Sequence, residues 1–159
     1  MFHTILKKIQ EVLLSEAVEG GRLPTLKDVF LGDYRTHLIP SEKYPCAMLL
    51  FNGCKTSGDG RRRVEFELTY ELSILAINSS LEEAAESLEA LVWDETEGSG
   101  ANTRGIIPVL LGNPALKIEE QLFRLEIDSW EVISGADDKE RATSAIRIPI
   151  RVKMVKSLI

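Results

Sequence analysis

The sequence predicts an α+β fold, in which two helices pack on one face of a mostly antiparallel, twisted sheet with long strands. Two stretches, 64–76 and 146–154, alternate apolar and polar residues with the period of a strand. Two others, 2–18 and 81–92, repeat apolar residues at helical spacing. No linker or internal repeat divides the chain, so we expect residues 1–159 to form a single domain.

The composition is that of an ordinary globular protein, with 159 residues, 44% hydrophobic and 28% charged. The net charge of −6 argues against general binding to a phosphate backbone, which needs a surplus of Lys and Arg. Two cysteines are too few for a disulfide framework, and no stretch has the pattern of a signal peptide or a membrane span. We therefore expect a soluble, cytoplasmic protein.

Both predicted helices have recognisable ends. The helix over 2–18 stops at Gly20 and Gly21. The second helix opens with Ser80 and Glu83, the spacing of a capping box in which each side chain accepts the other residue's free backbone N–H.

The longest predicted strand covers 61–78, after a short strand over 46–51 and a turn-rich connection over 52–60. At about 3.3 Å per residue its alternating part, 64–76, spans about 40 Å, which is more than a core of this size needs. Part of it is therefore expected to project beyond the core. Near its end Leu75 and Ile77 join the apolar set, which indicates that both faces of the sheet are covered there.

The remaining segments are predicted from turn residues and prolines. Residues 22–45 indicate an extended excursion with at most a short helical turn, and 94–105 and 135–141 indicate polar loops. A short strand is expected over 106–111, with Pro108 favouring a sheet edge. Another long strand is expected over 121–133, and its apolar phase slips by one residue, which predicts a β-bulge near Asp128 and Ser129. In the last strand, Pro149 predicts an edge position or a local bulge.

Catalytic and metal-binding patterns are not apparent. His3 and His37 stand apart from other ligand types at metal-binding spacing, and there is no phosphate-binding loop or nucleophile elbow. We expect no catalytic residue, no cofactor and no metal. Two alternatives stay open: an enzyme whose metal is held by the acidic loops, and a small ligand- or nucleic-acid-binding regulatory module that uses Arg61 to Arg63.

Several stretches together resemble the tail terminator, or tail-tube completion, proteins of long-tailed bacteriophages. The stretches are an initial "ILKKIQEVLL" helix, an excursion ending in "LIPSEKYPCAMLLF", the strand "RRRVEFELTYELSILA" followed by "SSLEEAAESLEALVWDE", and a closing "FRLEIDSWEVISG" with "SAIRIPIRVKM". The resemblance covers nearly the whole chain and lies in the order of the elements.

The resemblance implies a structural protein of the virion or prophage and not an enzyme. Such proteins form a hexameric ring that ends the tail tube and offers the surface on which the head docks. The implied partners are further copies of the chain, the tail tube protein and the head–tail connector, with no membrane and with nucleic acid met only through the ring lumen. The implied location is the cytoplasm of the bacterial host and then the tail. A related head-completion or tail-assembly protein is the neighbouring alternative.

Interfaces for such an assembly are expected on the polar segments 52–63, 94–105 and 135–141. The candidate interface residues in these segments are Arg61, Arg62, Arg63, Asp94, Glu95, Arg104, Asp137 and Asp138.

Overall fold

A computed structural model describes residues 1–33, 39–58, 62–78, 81–94, 103–112, 117–118, 121–122, 124–138 and 141–157. Its helices are α1 (Phe2–Glu16), α2 (Leu81–Val92) and α3 (Ile106–Leu111), with a 3-10 turn at Ser41–Lys43. Its strands are β1 (Asp28–Leu31), β2 (Cys46–Gly58), β3 (Arg63–Asn78), β4 (Lys117–Ile118), β5 (Gln121–Leu122), β6 (Arg124–Glu126), β7 (Glu131–Asp138) and β8 (Arg141–Ser157).

Six of the strands form one mixed sheet in the order β1-β2-β3-β8-β6, and β7 also pairs with β8. Only β1 and β2 run parallel; the other pairs are antiparallel. Strands β4 and β5 form a separate two-stranded pair. The three central strands contain 13, 16 and 17 residues. The prediction of an α+β fold with long, mostly antiparallel strands is therefore confirmed.

Helix α3 corrects the prediction of a strand over 106–111. A short apolar run is compatible with either a strand or a helix, and Pro108 favoured an edge strand. It is the third residue of the helix, after the N-cap Gly105. A backbone N–H at that position has no partner inside the helix, so proline is tolerated there. In the described part of the chain, no helix combines the length and the apolar character that crossing a membrane would require.

The main core lies between the helices and one face of the sheet, called the inner face here. Alternate residues of β3 and β8 face it in register, so that Tyr70 lies opposite Ile150 and Ile74 opposite Ile146. The helices contribute Ile5, Ile9 and Leu13 from α1, Ala84, Leu88 and Leu91 from α2, and Ile106, Val109 and Leu110 from α3. Each large apolar side chain buried in this way stabilises the fold by about 1.5–3 kcal/mol. The predicted inward faces of β3 and β8 are confirmed.

A smaller apolar cluster covers one end of the opposite, outer face of the sheet. It contains Cys46, Met48, Leu75 and Ala145, against which Phe30, Ile39, Tyr44 and Ile133 pack. Three of those four packing residues, Phe30, Ile39 and Tyr44, belong to the excursion over 22–45, which also contains the unpredicted strand β1. Leu75 is buried as predicted, whereas Ile77 is half-buried.

Two segments predicted as turns are strands. Residues 52–58 belong to β2, which stays paired with β3 as far as Gly58 across a register shift between Phe51 and Gly53. Residues 135–138 belong to β7, and Asp138 pairs with Arg141 of β8. In both cases cross-strand pairing outweighs a composition that is typical of turns.

The prediction of one long strand over 121–133 is wrong: β5 pairs with β4 in a separate sheet, and the break between β6 and β7 falls at the predicted bulge. Strand β6 pairs Glu126 with Arg151, β7 pairs Glu131 with Arg147, and residues 127–130 between them lie outside the ladder. Pro149 lies opposite this interruption, at a point where β8 has a described neighbour only in β3. Strand β8 is thus an interior strand of the sheet. The edge predicted from Pro149 is limited to the few residues around it that lack a described neighbour on the β6–β7 side.

Candidate functional site

One end of the sheet extends beyond the core as a three-stranded ribbon. We define the ribbon as residues 54–58, 62–67 and 153–157, which come from β2, from Arg62 and the start of β3, and from the end of β8. Leu68 and Val152 are still buried at its base, but within the ribbon only Met154 is. The predicted projection of the long strand is therefore confirmed, and two neighbouring strands project with it.

The ribbon has an open strand edge. Strand β1 pairs with β2 only as far as Leu49, so the outer edge of residues 50–58 pairs with no other described strand. On the other side of the sheet, β7 pairs only with β8 among the described residues. Unpaired N–H and C=O groups along such edges are a template for a strand from another chain.

The ribbon is basic within an acidic protein. It carries five basic side chains (Lys55, Arg62, Arg63, Lys153 and Lys156) and two acidic ones (Glu65 and Glu67). This count gives +3, which leaves −9 for the rest of a chain whose total is −6. All five basic residues are exposed, and only Lys153 has an ion pair within the described residues.

The charges on the outer face of the sheet are, by contrast, paired with one another. The guanidinium of Arg147 lies 3.5 Å from Glu71 and 3.1 Å from Glu131. That of Arg151 lies 3.1 Å from Glu126 and also contacts Asp128. We call this set, together with the Lys153–Glu126 pair at 3.4 Å and the Arg151–Glu67 pair at 3.9 Å, the ion-pair ladder. It links β3, β8 and the β6–β7 region across the sheet.

Helix α2 presents an acidic face. Glu82, Glu86 and Glu89 are exposed and follow one another at spacings of four and three residues, which places them along one side of the helix. The helix contains four glutamates and neither Lys nor Arg. In the described part of the chain no ion pair reaches these three side chains.

The predicted interface residues fall at three places. Arg62 and Arg63 lie exposed in the ribbon, whereas Arg61 and Glu95 lie outside the described residues. Asp94 and Arg104 come together: each backbone N–H donates to the other residue's carbonyl oxygen, at 2.8 and 3.2 Å.

Asp137 and Asp138 lie in strand β7 and not in a loop. They are at the end of the sheet where β3 finishes, since Asn78 pairs with Ala142 beside that hairpin. The ribbon is at the opposite end, where Arg63 pairs with Ser157. The structure therefore does not gather the predicted residues into one site.

The sequence did not predict the ion-pair ladder, and it placed Glu82, Glu86 and Glu89 on the solvent side of α2 without marking them as an interface. Both features could have been found from the periodic patterns that predict the strands and helices, by comparing the charges at the outward positions. The outward positions of β3 are rich in Glu and those of β8 in Arg and Lys, which is the complement that adjacent strands use.

Among the described residues, two titratable groups have strongly shifted pKa values, and both are held in the packed interior. Burial, and to a smaller extent the charge of Asp28, raises the pKa of the Cys46 thiol to about 12. Burial also raises the pKa of Tyr70, whose hydroxyl donates to the carbonyl oxygen of Phe2 at 3.0 Å. A thiol with so high a pKa stays protonated, and therefore unreactive, at neutral pH.

His3 is exposed on α1, and His37 lies outside the described residues. Among the residues that the structure places, no three His, Cys, Asp or Glu side chains are grouped to hold a metal ion.

No family model matches the chain, and no curated protein matches it. The resemblance to tail terminator proteins therefore stays a prediction from the sequence. The features from which a function can be inferred are the ribbon, the open strand edges and the distribution of charge.

Proposed function

We propose that this chain is a structural subunit that assembles into a hexameric ring, ends a phage tail tube and offers the surface to which the head docks. The ribbon is the observation that carries the proposal. Its strands continue past the core with one open edge, and most of its side chains are exposed. In an isolated molecule this extra length buries little apolar surface, whereas in an assembly it gains strand partners and burial.

The arrangement of the open edges supports a ring. The edge of β2 and the edge of β7 are different surfaces on opposite sides of the sheet. A contact that joins different surfaces of identical subunits is heterologous, and heterologous contacts close into rings when the rotation between subunits permits. The number of six subunits, the tail tube and the head come from the resemblance alone.

The test is to measure the size of the purified chain, with and without tail tube protein. Sedimentation velocity and native mass spectrometry should show a hexamer, and electron microscopy should show rings at one end of each tube. A chain that stays monomeric at every concentration and does not bind tubes would contradict the proposal.

A second candidate is a nucleic-acid-binding module, which the exposed cations Lys55, Arg62 and Arg63 favour. Binding by these side chains should weaken steeply as salt rises, because counterions are released from the phosphate backbone. A gel-shift assay with single- and double-stranded DNA and RNA tests it. If nothing shifts at low salt, this candidate is removed.

A further inference from the structure

We infer that the ribbon of one copy docks on the acidic face of helix α2 of the next copy, so that successive subunits join head to tail. This inference rests on the proposed ring and names the contact that builds it.

The pairing of charges separates these two surfaces from the ion-pair ladder on the outer face of the sheet. Within the described residues, Arg147 and Arg151 each meet at least two carboxylates of their own chain. Among the same described residues, Arg62 and Arg63 meet no carboxylate and Glu86 meets no cation. The unmatched charges of the ribbon and of α2 therefore have opposite signs and lie on different elements.

The two surfaces are too far apart to meet within one molecule. Strand β3 is 16 residues long and spans about 50 Å at about 3.3 Å per residue. The ribbon contains its first residues, and α2 starts three residues after its last, Asn78. The helix is about 18 Å long at about 1.5 Å per residue, so that even its far end remains well short of the ribbon. Any contact between ribbon and helix must therefore join two copies.

The repulsion among the glutamates of the acidic face is relieved when cations contact it. Glu82, Glu86 and Glu89 repel one another at helical spacings where like charges destabilise a helix by about 0.2–0.5 kcal/mol per pair. The ribbon brings a net +3 to the three glutamates of the acidic face, and it projects far enough from the body to reach a neighbour. Such complementary charges fix the register of an interface and exclude wrong partners.

The experiment is a charge swap measured by sedimentation velocity. One variant reverses the ribbon (Arg62→Glu with Arg63→Glu), a second reverses the helix (Glu86→Lys with Glu89→Lys), and a third combines all four changes. The matched control reverses Lys7 and Lys27, which are exposed and belong to neither surface. Circular dichroism checks that each variant is folded.

Each reversal alone should weaken self-association by about tenfold or more, because like charges then face each other across the interface. The combined variant should recover the association of the unaltered chain to within a few-fold, and the control should match it throughout. Full association by the ribbon variant, or no recovery in the combined variant, would overturn the inference. A chain that does not self-associate at all would overturn it too.

A zero-length carbodiimide reagent supplies a second, independent readout on the unaltered chain. It joins a lysine amine to a carboxylate only where the two already touch. Mass spectrometry should find Lys55 or Lys156 joined to Glu82, Glu86 or Glu89, within covalent dimers and larger species. Such links found only in monomers, or absent from dimers, count against the proposed contact.

Tail-joining assays separate this inference from the proposed function. If the charge-swap variants associate as expected but the rings never bind tail tubes, the contact between subunits is supported and the role in the tail is contradicted. If the ribbon variant forms normal rings but no longer joins tails, the ribbon contacts the tube or the head. That result would overturn this inference and leave the proposed function standing.

Discussion

The hydroxyl of Tyr70 donates a 3.0 Å hydrogen bond to the carbonyl oxygen of Phe2, which ties the middle of β3 to the first residue of α1. The rings around it form a small aromatic column: Phe51 stacks on Phe2 at 5.1 Å and meets Tyr70 at 5.4 Å. The helix is thus fixed to two central strands at one point.

Replacing Tyr70 with Phe should lower the free energy of unfolding by about 1 kcal/mol, the usual net contribution of a hydrogen bond. Tyr70→Leu should cost about 2–3 kcal/mol, because the contact with Phe51 is lost as well. Urea unfolding measures both. Equal stability of the Phe variant and the unaltered chain would show that this hydrogen bond contributes nothing net.

The buried thiol of Cys46 should make the protein less stable in alkali. Its pKa rises from 9.0 to about 12 on folding, so the folded chain holds this proton more tightly than the unfolded chain does. The resulting stabilisation is complete below about pH 9 and is lost as pH rises towards 12, by about 1 kcal/mol at pH 10. Cys46→Ala should remove this share of the pH dependence.

The measurement is urea unfolding of both chains at about pH 8 and about pH 10. Cys54, which is exposed, serves as an internal control: a thiol reagent should label it in the folded protein and leave Cys46 unlabelled until unfolding. A folded chain in which both thiols react equally fast would contradict the burial of Cys46.

Arg151→Leu should destabilise the fold by about 1 kcal/mol, since it leaves Glu126 and Asp128 without their shared cation. The side chains of Arg151 and Glu126 are 30% and 20% exposed, and water screens the pair enough to keep the loss this small. The loss should shrink in about 1 M NaCl.

Lys7→Leu is the matched control for this change, because it removes an exposed charge that has no ion pair in the described part of the chain. Thermal unfolding at low and high salt measures both variants. A loss that does not depend on salt would point to packing of the arginine stem in place of charge pairing.

Gly105→Ala should destabilise the fold by about 3 kcal/mol. Gly105 has φ +122, which side-chain-bearing residues rarely adopt, and an added methyl would lie against the carbonyl oxygen of Val92. Gly20→Ala is the control, because Gly20 has φ +82 but open space around it. It should cost only about 1 kcal/mol. Denaturant midpoints measure both, and similar losses would show that the crowding at Gly105 is relieved at no cost.

Periodicity was sufficient to predict the elements that bury one face continuously. The alternation around Tyr70 and around Ile148 predicted both the strands and the side that faces the helices. It failed where a partner element decides the conformation. Lys55 to Gly58 have the composition of a turn but are held as strand by pairing with β3, and Pro108 was compatible with a helix only because of its place in the first turn.

The candidate surfaces were predictable only in part. Arg62 and Arg63 were identified from their clustering, which sequence displays directly. The distance between them and the glutamates of α2 depends on the direction in which the helix runs back over the sheet, and charge composition does not contain that information. The pairing of Arg147 and Arg151 likewise depends on strand order, which brings β6 and β7 to the side of β8 opposite β3.

Strand β3 has a mechanical consequence for any assembly that grips the molecule at both ends. It is paired with β8 at all 16 of its positions, from Arg63–Ser157 to Asn78–Ala142. Tension applied along the strand loads all of its cross-strand hydrogen bonds in shear at the same time. Tension applied across the sheet would instead break them one after another. The chain is therefore built as a stiff tie along its long axis, and it should resist pulling in that direction far better than pulling across the sheet.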